Sequence, residues 1–316
     1  MFEIIFERNI KMKDVVFEKY QVRKTKKQKT AFIELVEGYA RENGYQVTTE
    51  KGSYGSRNIV VGNPESAKVI FGAHYDTCPL LPFPNFITPK NIGIYILYQI
   101  LLTLGILVVF FAAAFLLAFV LTAINLDSST VELLVKLSLY ALLCLMMFGP
   151  ANKHTANDNT SGVMTLLTLM KKLPEELREK CAFVFFDLEE MGVLGSGAFA
   201  KKHKNVAKNT LLLNFDCVSD GDNFILTLPK QAHDMEKTLK SAFESDKFNV
   251  EILKKGYIYP SDQMRFKKGV GIAALKRFKD TKILYMDRIH TSRDTVYQEE
   301  NIEFLSDAAV KLVDTL

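Results

Sequence analysis

Two histidines and a group of carboxylates stand where short apolar runs end. His74 and Asp76 close KVIFGAHYD. Asp187, Glu189 and Glu190 follow CAFVFF, and Asp216 follows LLLNF. Asp158 lies in ANDNTSG, and His290 lies in RIHTSRD just after ILYMD. Each has an ordinary reading when taken alone. A loop histidine is usually a bonded surface residue. Asp158, Asn159, Thr160 or Ser161 could cap a helix. Glu189 and Glu190 could be a solvated pair, and Asp216 could form a turn. Together, two imidazoles and several carboxylates are the donor set of a hard-to-borderline divalent cation. The adjacent acids suggest a division of labour, in which one binds metal while its neighbour takes a proton from activated water. In the H-x-D unit, a carboxylate two residues away can orient the imidazole. The chemistry this set supports is metal-assisted hydrolysis. Cys78, Cys144, Cys181 and Cys217 form no CxxC pair and fall outside the set. That speaks against a thiolate structural zinc and for buried thiols in a reducing compartment.

Placing these residues together takes a sheet whose strands end on one edge. Strand-like runs occur at 58–61 and 68–71 with Gly-Asn-Pro between them, and at 181–186, 211–215, 271–275 and 283–286. CAFVFF is apolar throughout, as suits a strand covered on both faces. Helical spacing marks 29–44, 161–172, 196–204, 231–244 and 301–316. The alternation predicts an α/β three-layer sandwich around a central, mostly parallel mixed sheet. Its polar residues would gather at the C-terminal strand edge.

Between two of the motifs lies a segment of a different kind. Residues 92–124 run 33 positions without a charge, longer than the roughly 20 needed to cross a bilayer. After NLDSST, a second apolar stretch covers 131–148. It carries Glu132 and Lys136 near its start, where a charge can snorkel. These features predict a two-span transmembrane α-hairpin over 91–149, turning at 125–130. It would divide a catalytic domain into 1–90, which holds an N-terminal helix, and 150–316. Both flanks then share one side of the membrane, marked by Lys90, Lys153 and a basic N-terminal stretch. The turn carries only Asp127, so the soluble part is expected in the cytoplasm.

From Lys11 to Lys29, eight basic residues face only Asp14 and Glu18. They read as a solvated helix face or a surface for anionic headgroups. MFEIIFERNI lacks the pattern of a signal peptide. A net charge of +4 without a concentrated basic face argues against nucleic acid. The expected partners are a peptide substrate and the lipid bilayer.

The ordered motifs resemble peptidase family M28, the two-zinc metallopeptidases that include bacterial leucyl aminopeptidases and carboxypeptidase Q. The family's H-x-D matches His74 to Asp76. Its G-x-x-D-N-x-S-G matches ANDNTSG, its Glu-Glu pair matches FFDLEEMGVLGS, its N-L-D matches NFD, and its H-T-x-x-D matches HTSRD. The resemblance covers 58–89 and 149–316 and omits the hairpin. It implies two divalent metal ions, zinc in most relatives, and aminopeptidase action on short peptides. His74, Asp158 and Asp216 would hold one ion. Asp158, as a bridge, would hold the other with Glu190 and His290. Glu189 would be the general base and acid, Asp76 would orient His74, and Asp294 would lie behind His290. YPSDQMRF resembles the family's S-D-H-x-x-F, with Gln263 replacing a common histidine and so altering the pocket. Tyr257 and Tyr259 both answer to a family tyrosine. A related amidohydrolase, a glutaminyl-cyclase-like enzyme and a non-catalytic membrane scaffold are the alternatives.

Overall fold

A computed structural model describes residues 11–316; the stretch MFEIIFERNI lies outside them. The strands are β1 (Val47–Lys51), β2 (Arg57–Val61), β3 (Val69–His74), β4 (Cys181–Phe186), β5 (Leu211–Phe215), β6 (Asn223–Thr227), β7 (Asn249–Leu253), β8 (Lys268–Arg277) and β9 (Leu284–Tyr285). They form one mixed sheet in the order β1-β2-β4-β3-β5-β8-β6-β7, with β9 on β8. Its centre, β4-β3-β5-β8, is parallel, and antiparallel pairs lie toward the flanks. The runs on either side of Gly-Asn-Pro are not partners, because β4 lies between β2 and β3.

The helices are α1 (Met12–Lys19), α2 (Lys26–Glu42), α3 (Ile92–Ala123), α4 (Ser128–Phe148), α5 (Gly162–Lys172), α6 (Leu194–Lys202), α7 (Lys204–Asn209), α8 (Glu236–Ala242) and α9 (Glu299–Thr315). Strand alternation feeds two cores. Val69, Phe71, Phe183 and Phe185 pack with Phe32 of α2, Leu166 of α5 and Leu305 of α9. Ile70, Val184 and Phe186 point the other way, onto Phe199 and Val206 of α6 and α7. This is the three-layer sandwich.

α2 starts with a reciprocal cap. The Gln28 amide N–H donates to Thr25 Oγ1 at 3.3 Å, and the Thr25 amide N–H donates to Gln28 Oε1 at 2.8 Å. The chain leaves α2 through Gly44 at φ +80°, a left-handed conformation that glycine adopts without a Cβ clash.

Two residues of the basic stretch depart from its expectation as a solvated or lipid-facing surface, while Lys11, Lys19, Lys26 and Lys27 are exposed. Arg23 is fully buried and Lys29 nearly so. Lys29 Nζ lies 2.5 Å from Asp187 Oδ1. Lys13 pairs with Glu299, and Lys24 reaches the Met147 carbonyl at 3.3 Å.

α3 has 32 residues, about 48 Å at the usual helical rise. α4 has 21. Both are long and apolar enough to cross a membrane. A core helix of a soluble protein would be covered, yet Phe111, Phe115 and Phe119 are 63%, 75% and 65% exposed. The turn is tighter than 125–130. Asp127 accepts the Thr130 amide N–H at 3.0 Å and starts α4 at Ser128. Glu132 and Lys136 pair at 2.5 Å across one helical turn. At the hairpin's foot, Phe86 stacks on Tyr285 and meets the Tyr98 ring at a tilt of 53°. Lys90 meets Glu251 there at 2.5 Å.

Candidate metal centre

Parallel strands deliver their ends to one edge. β3 ends in His74, β4 leads into Asp187 to Glu190, and β5 leads into Asp216. Asp158 reaches the same place from the turn before α5. It does not cap that helix, because Asn159 Oδ1 takes the Gly162 amide N–H at 3.0 Å. A Cβ on Gly162 would lie 2.2 Å from the Phe215 carbonyl oxygen, so only glycine lets α5 begin against the end of β5. The remaining polar residues of ANDNTSG fasten this turn to the chain behind Asp216. Asn157 Oδ1 accepts from the Ser219 amide at 2.7 Å, and Ser161 Oγ accepts from the Val218 amide at 3.0 Å. Asp294 braces the turn by accepting the Asn157 and Asp158 amides at 2.8 and 3.0 Å. It therefore acts on the backbone of Asp158.

His74 Nε2 lies 3.2 Å from Asp158 Oδ1 and 3.6 Å from Asp216 Oδ1. His290 Nε2 lies 2.9 Å from Asp158 Oδ2 and 3.3 Å from Glu190 Oε2. The two oxygens of Asp158 thus face two different donor sets. Ligand atoms of His74, Asp158 and Asp216 fall within 4.8 Å of one another, as do those of Asp158, Glu190 and His290. Glu190 Oε1 is buried without a hydrogen-bond partner. Donor type, spacing and that unpaired oxygen fit two divalent cations sharing one carboxylate. Cys78, expected to lie apart, joins the second set within the same 4.8 Å.

Asp76 holds both halves of the site. Its backbone oxygen lies 3.2 Å from His74 Nδ1, and its carboxylate Oδ1 lies 3.6 Å from the same nitrogen. The carboxylate also accepts the amides of Glu189 and Glu190 at 3.0 and 3.3 Å. Arg23 ties two ligand loops from below. It donates to the Tyr75 and Tyr20 carbonyls and to Thr160 Oγ1, while its amide donates to Thr77 Oγ1 at 3.1 Å. Its guanidinium lies over the Phe32 ring, and burial pulls it down to about 10.

Burial pushes Glu189 well above the usual carboxylate range and Glu190 up to about 8. Burial opposes charge on the histidines too, but the surrounding carboxylates outweigh it. His74 ends well above its usual value, and His290 is raised to about 9. Burial also works to raise Asp158, yet hydrogen bonds with His290 and His74 hold it below its usual range. The carboxylates crowded here call for positive charge, which a divalent cation bound to these residues would supply.

Other site residues were less visible in sequence. Asp262 is fully buried and pushed up to about 7 by burial, with His74, Asp76 and Asp216 as charged neighbours. Its one signal is its place in YPSDQMRF. Of the two tyrosines, Tyr259 is buried and donates to the Asp216 carbonyl at 2.9 Å, whereas Tyr257 is only partly buried. Gln263 does not point its amide at the ligands. Its Nε2 donates to the Tyr259 carbonyl at 2.7 Å, and its Oε1 accepts from Asn214 at 3.0 Å. Leu188, Cys217 and His290 have φ of 54°, 56° and 62°. Such left-handed non-glycine residues cost about 1–3 kcal/mol each and gather at functional sites.

The family described as peptidase family M28 matches residues 137–311, more than half of the chain. No curated protein matches the sequence. Among solved structures, a Zn-dependent exopeptidase from Parabacteroides distasonis superposes with a TM-score of 0.56 at 16% identity. The match covers 95% of this chain and 93% of the other. The Bacteroides thetaiotaomicron glutaminyl cyclase bound to N-acetylhistamine gives 0.54 at 16% identity, with 95% and 93% covered. The Legionella pneumophila LapA aminopeptidase gives 0.54 at 13% identity, with 95% and 68% covered. At these identities the likeness is one of fold.

Proposed function

Because the chain belongs to peptidase family M28, we propose that it is a membrane-anchored di-zinc hydrolase of amide bonds, an aminopeptidase acting on short peptides. The observation that carries this reading is Asp158, whose two oxygens serve two donor sets at once. His74 and Asp216 complete one set, and Glu190 and His290 the other. Ions bound there would polarise the scissile carbonyl and acidify water. Glu189 then takes the water's proton and passes it to the leaving amine. Asp76 is a positioning residue, because its carboxylate fixes the backbone at Glu189 and Glu190. Glutaminyl-cyclase-like chemistry is the second reading, since a cyclase superposes as well as the aminopeptidase does.

The full chain, purified in detergent, should carry about two zinc ions by elemental analysis. It should release N-terminal residues from unblocked peptides, and a chelator should stop the release. Cyclisation of N-terminal glutamine in preference to hydrolysis would favour the second reading. Absence of bound metal would leave a non-catalytic scaffold.

The hairpin serves as the anchor in this proposal, with the catalytic domain on the cytoplasmic side. In intact cells, a cysteine placed at Ser129 should react with an impermeant maleimide, whereas one at Lys153 should not. The reverse pattern would overturn this orientation. Labelling can be done on a Cys144→Ser background, because Cys144 is the exposed native thiol among the described residues.

A further inference from the structure

The hairpin does more than present an apolar exterior. Between α3 and α4 lies a trough of about 1060 Å³. Its walls include Gly105, Ala113 and Ala114 of α3 and Ala141 of α4, and its near end is closed by Leu81 and Phe83. Larger apolar side chains, Leu101, Phe110, Leu142 and Met146 among them, line the rest of it. A Cβ on Gly105 would meet no atom within 4 Å.

The near end of the trough adjoins the metal centre. The Leu81 amide donates to the carbonyl of His290 at 2.8 Å, and the Asn152 amide donates to the Cys78 carbonyl at 3.1 Å. A smaller cavity of about 360 Å³ shares Leu80 to Phe83 with the trough. It is completed by Thr291, Ser292 and Arg293, which directly follow His290. One continuous surface therefore runs from polar groups beside a candidate ligand to hydrocarbon-like walls deep in the hairpin.

From this we infer that the trough seats the hydrocarbon chain of an amphiphilic amide substrate while its amide bond lies at the metal centre. This rests on the hydrolase reading above and names its substrate class. The walls extend from Leu101 to Leu117, about 24 Å along the helix. That is more than one leaflet of a hydrocarbon core about 30 Å thick. A peptide is a poor occupant, because its backbone groups would need partners in a water-free site. Ser138 is the polar side chain of the helical walls, and its hydroxyl is already bonded to the Val135 carbonyl at 2.7 Å. A hydrocarbon chain needs no partners. Water adds across the amide, its hydroxyl going to the acyl carbon and its proton to the departing amine, so hydrolysis balances without a further reactant. Lipid tails are as apolar as the trough, so the gain lies in holding the amide beside the catalytic groups.

The test reconstitutes the full chain in dioleoylphosphatidylcholine vesicles and compares leucine dodecylamide with leucine methylamide. The long-chain amide should show a kcat/KM at least about tenfold higher, as expected for a held reactant. Gly105→Phe and Ala141→Phe fill the trough without touching the metal centre. They should erase that preference and leave methylamide turnover unchanged. A diazirine-bearing dodecylamide should crosslink to the trough walls in the native chain and much less in the filled variants. Equal turnover of the two amides, or crosslinks spread evenly onto the outward-facing Phe111, Phe115 and Phe119, would overturn the inference. If no amide is hydrolysed, the hydrolase reading fails, and crosslinking alone decides whether the trough binds a chain.

Discussion

Glu189→Gln lowers kcat by about 10²–10⁴, the range for losing a positioned general base, and leaves metal content unchanged. The substitution keeps shape and packing but removes the capacity to take a proton. Asp76 holds residue 189 through its backbone amide, so glutamine is held in the same place. Glu189 also comes within 4.8 Å of ligand atoms of His74 and Glu190, but it belongs to neither of the two donor sets that share Asp158, so metal content should survive when those two sets hold the ions. Glu190→Gln provides the contrast. Glu190 belongs to the His290 set and carries a buried, unpartnered oxygen, so this variant should lose metal as well as rate. Full turnover by a metal-replete Glu189→Gln enzyme would remove Glu189 from its assigned role. Asp262 would then be the next acid to test, as a buried carboxyl in the same cluster.

Lys29→Met destabilises the chain by about 3 kcal/mol, the lower end for breaking a buried ion pair, as read from denaturant unfolding in detergent. Asp187 is 1% exposed and Lys29 7%, so solvent does little to screen them. Asp187 also accepts the Arg57 and Leu188 amides at 2.9 Å each. Burial has already pushed Asp187 upward, so it can take a proton once Lys29 is gone, which holds the loss near the lower bound. In the double variant with Asp187→Asn, part of the stability should return, because no charge is left unpaired, while the asparagine oxygen can accept only one of the two backbone amides that Asp187 holds. A loss in Lys29→Met within the usual ±0.5 kcal/mol of surface substitutions would contradict the burial of this pair.

His74, Glu190 and Asp216 were legible because each follows an apolar run, and parallel strands place those ends together. Asp158, in the turn before α5, and His290, after the antiparallel β9, were legible from their motifs. Arg23 and Lys29 were hidden by their neighbourhood. Eight basic residues in a row of turns look solvated, and only partners more than fifty positions away, Tyr75 and Asp187, take these two inside. Cys78 was discounted for lacking a paired cysteine, yet its proximity to His290 comes from a fold contact and not from spacing. β1, β6 and β7 escaped notice: VTTEK and NVEIL lie at the two sheet edges, half exposed and carrying charge, and NFILT, buried throughout, has polar residues at both ends. The parallel strands β3, β4, β5 and β8, buried through their centres, were read from the sequence.

Where the hairpin falls in the chain also fixes an order of synthesis. His74 and Asp76 are made before α3, whereas Asp158, Glu190, Asp216 and His290 are made after α4. No nascent chain can hold a complete set of donors until both apolar helices have left the ribosome. Arg23, made before the hairpin, waits for Thr160 beyond it. Under the proposed function, metal loading would follow membrane insertion, and the enzyme would be silent until it had reached the bilayer.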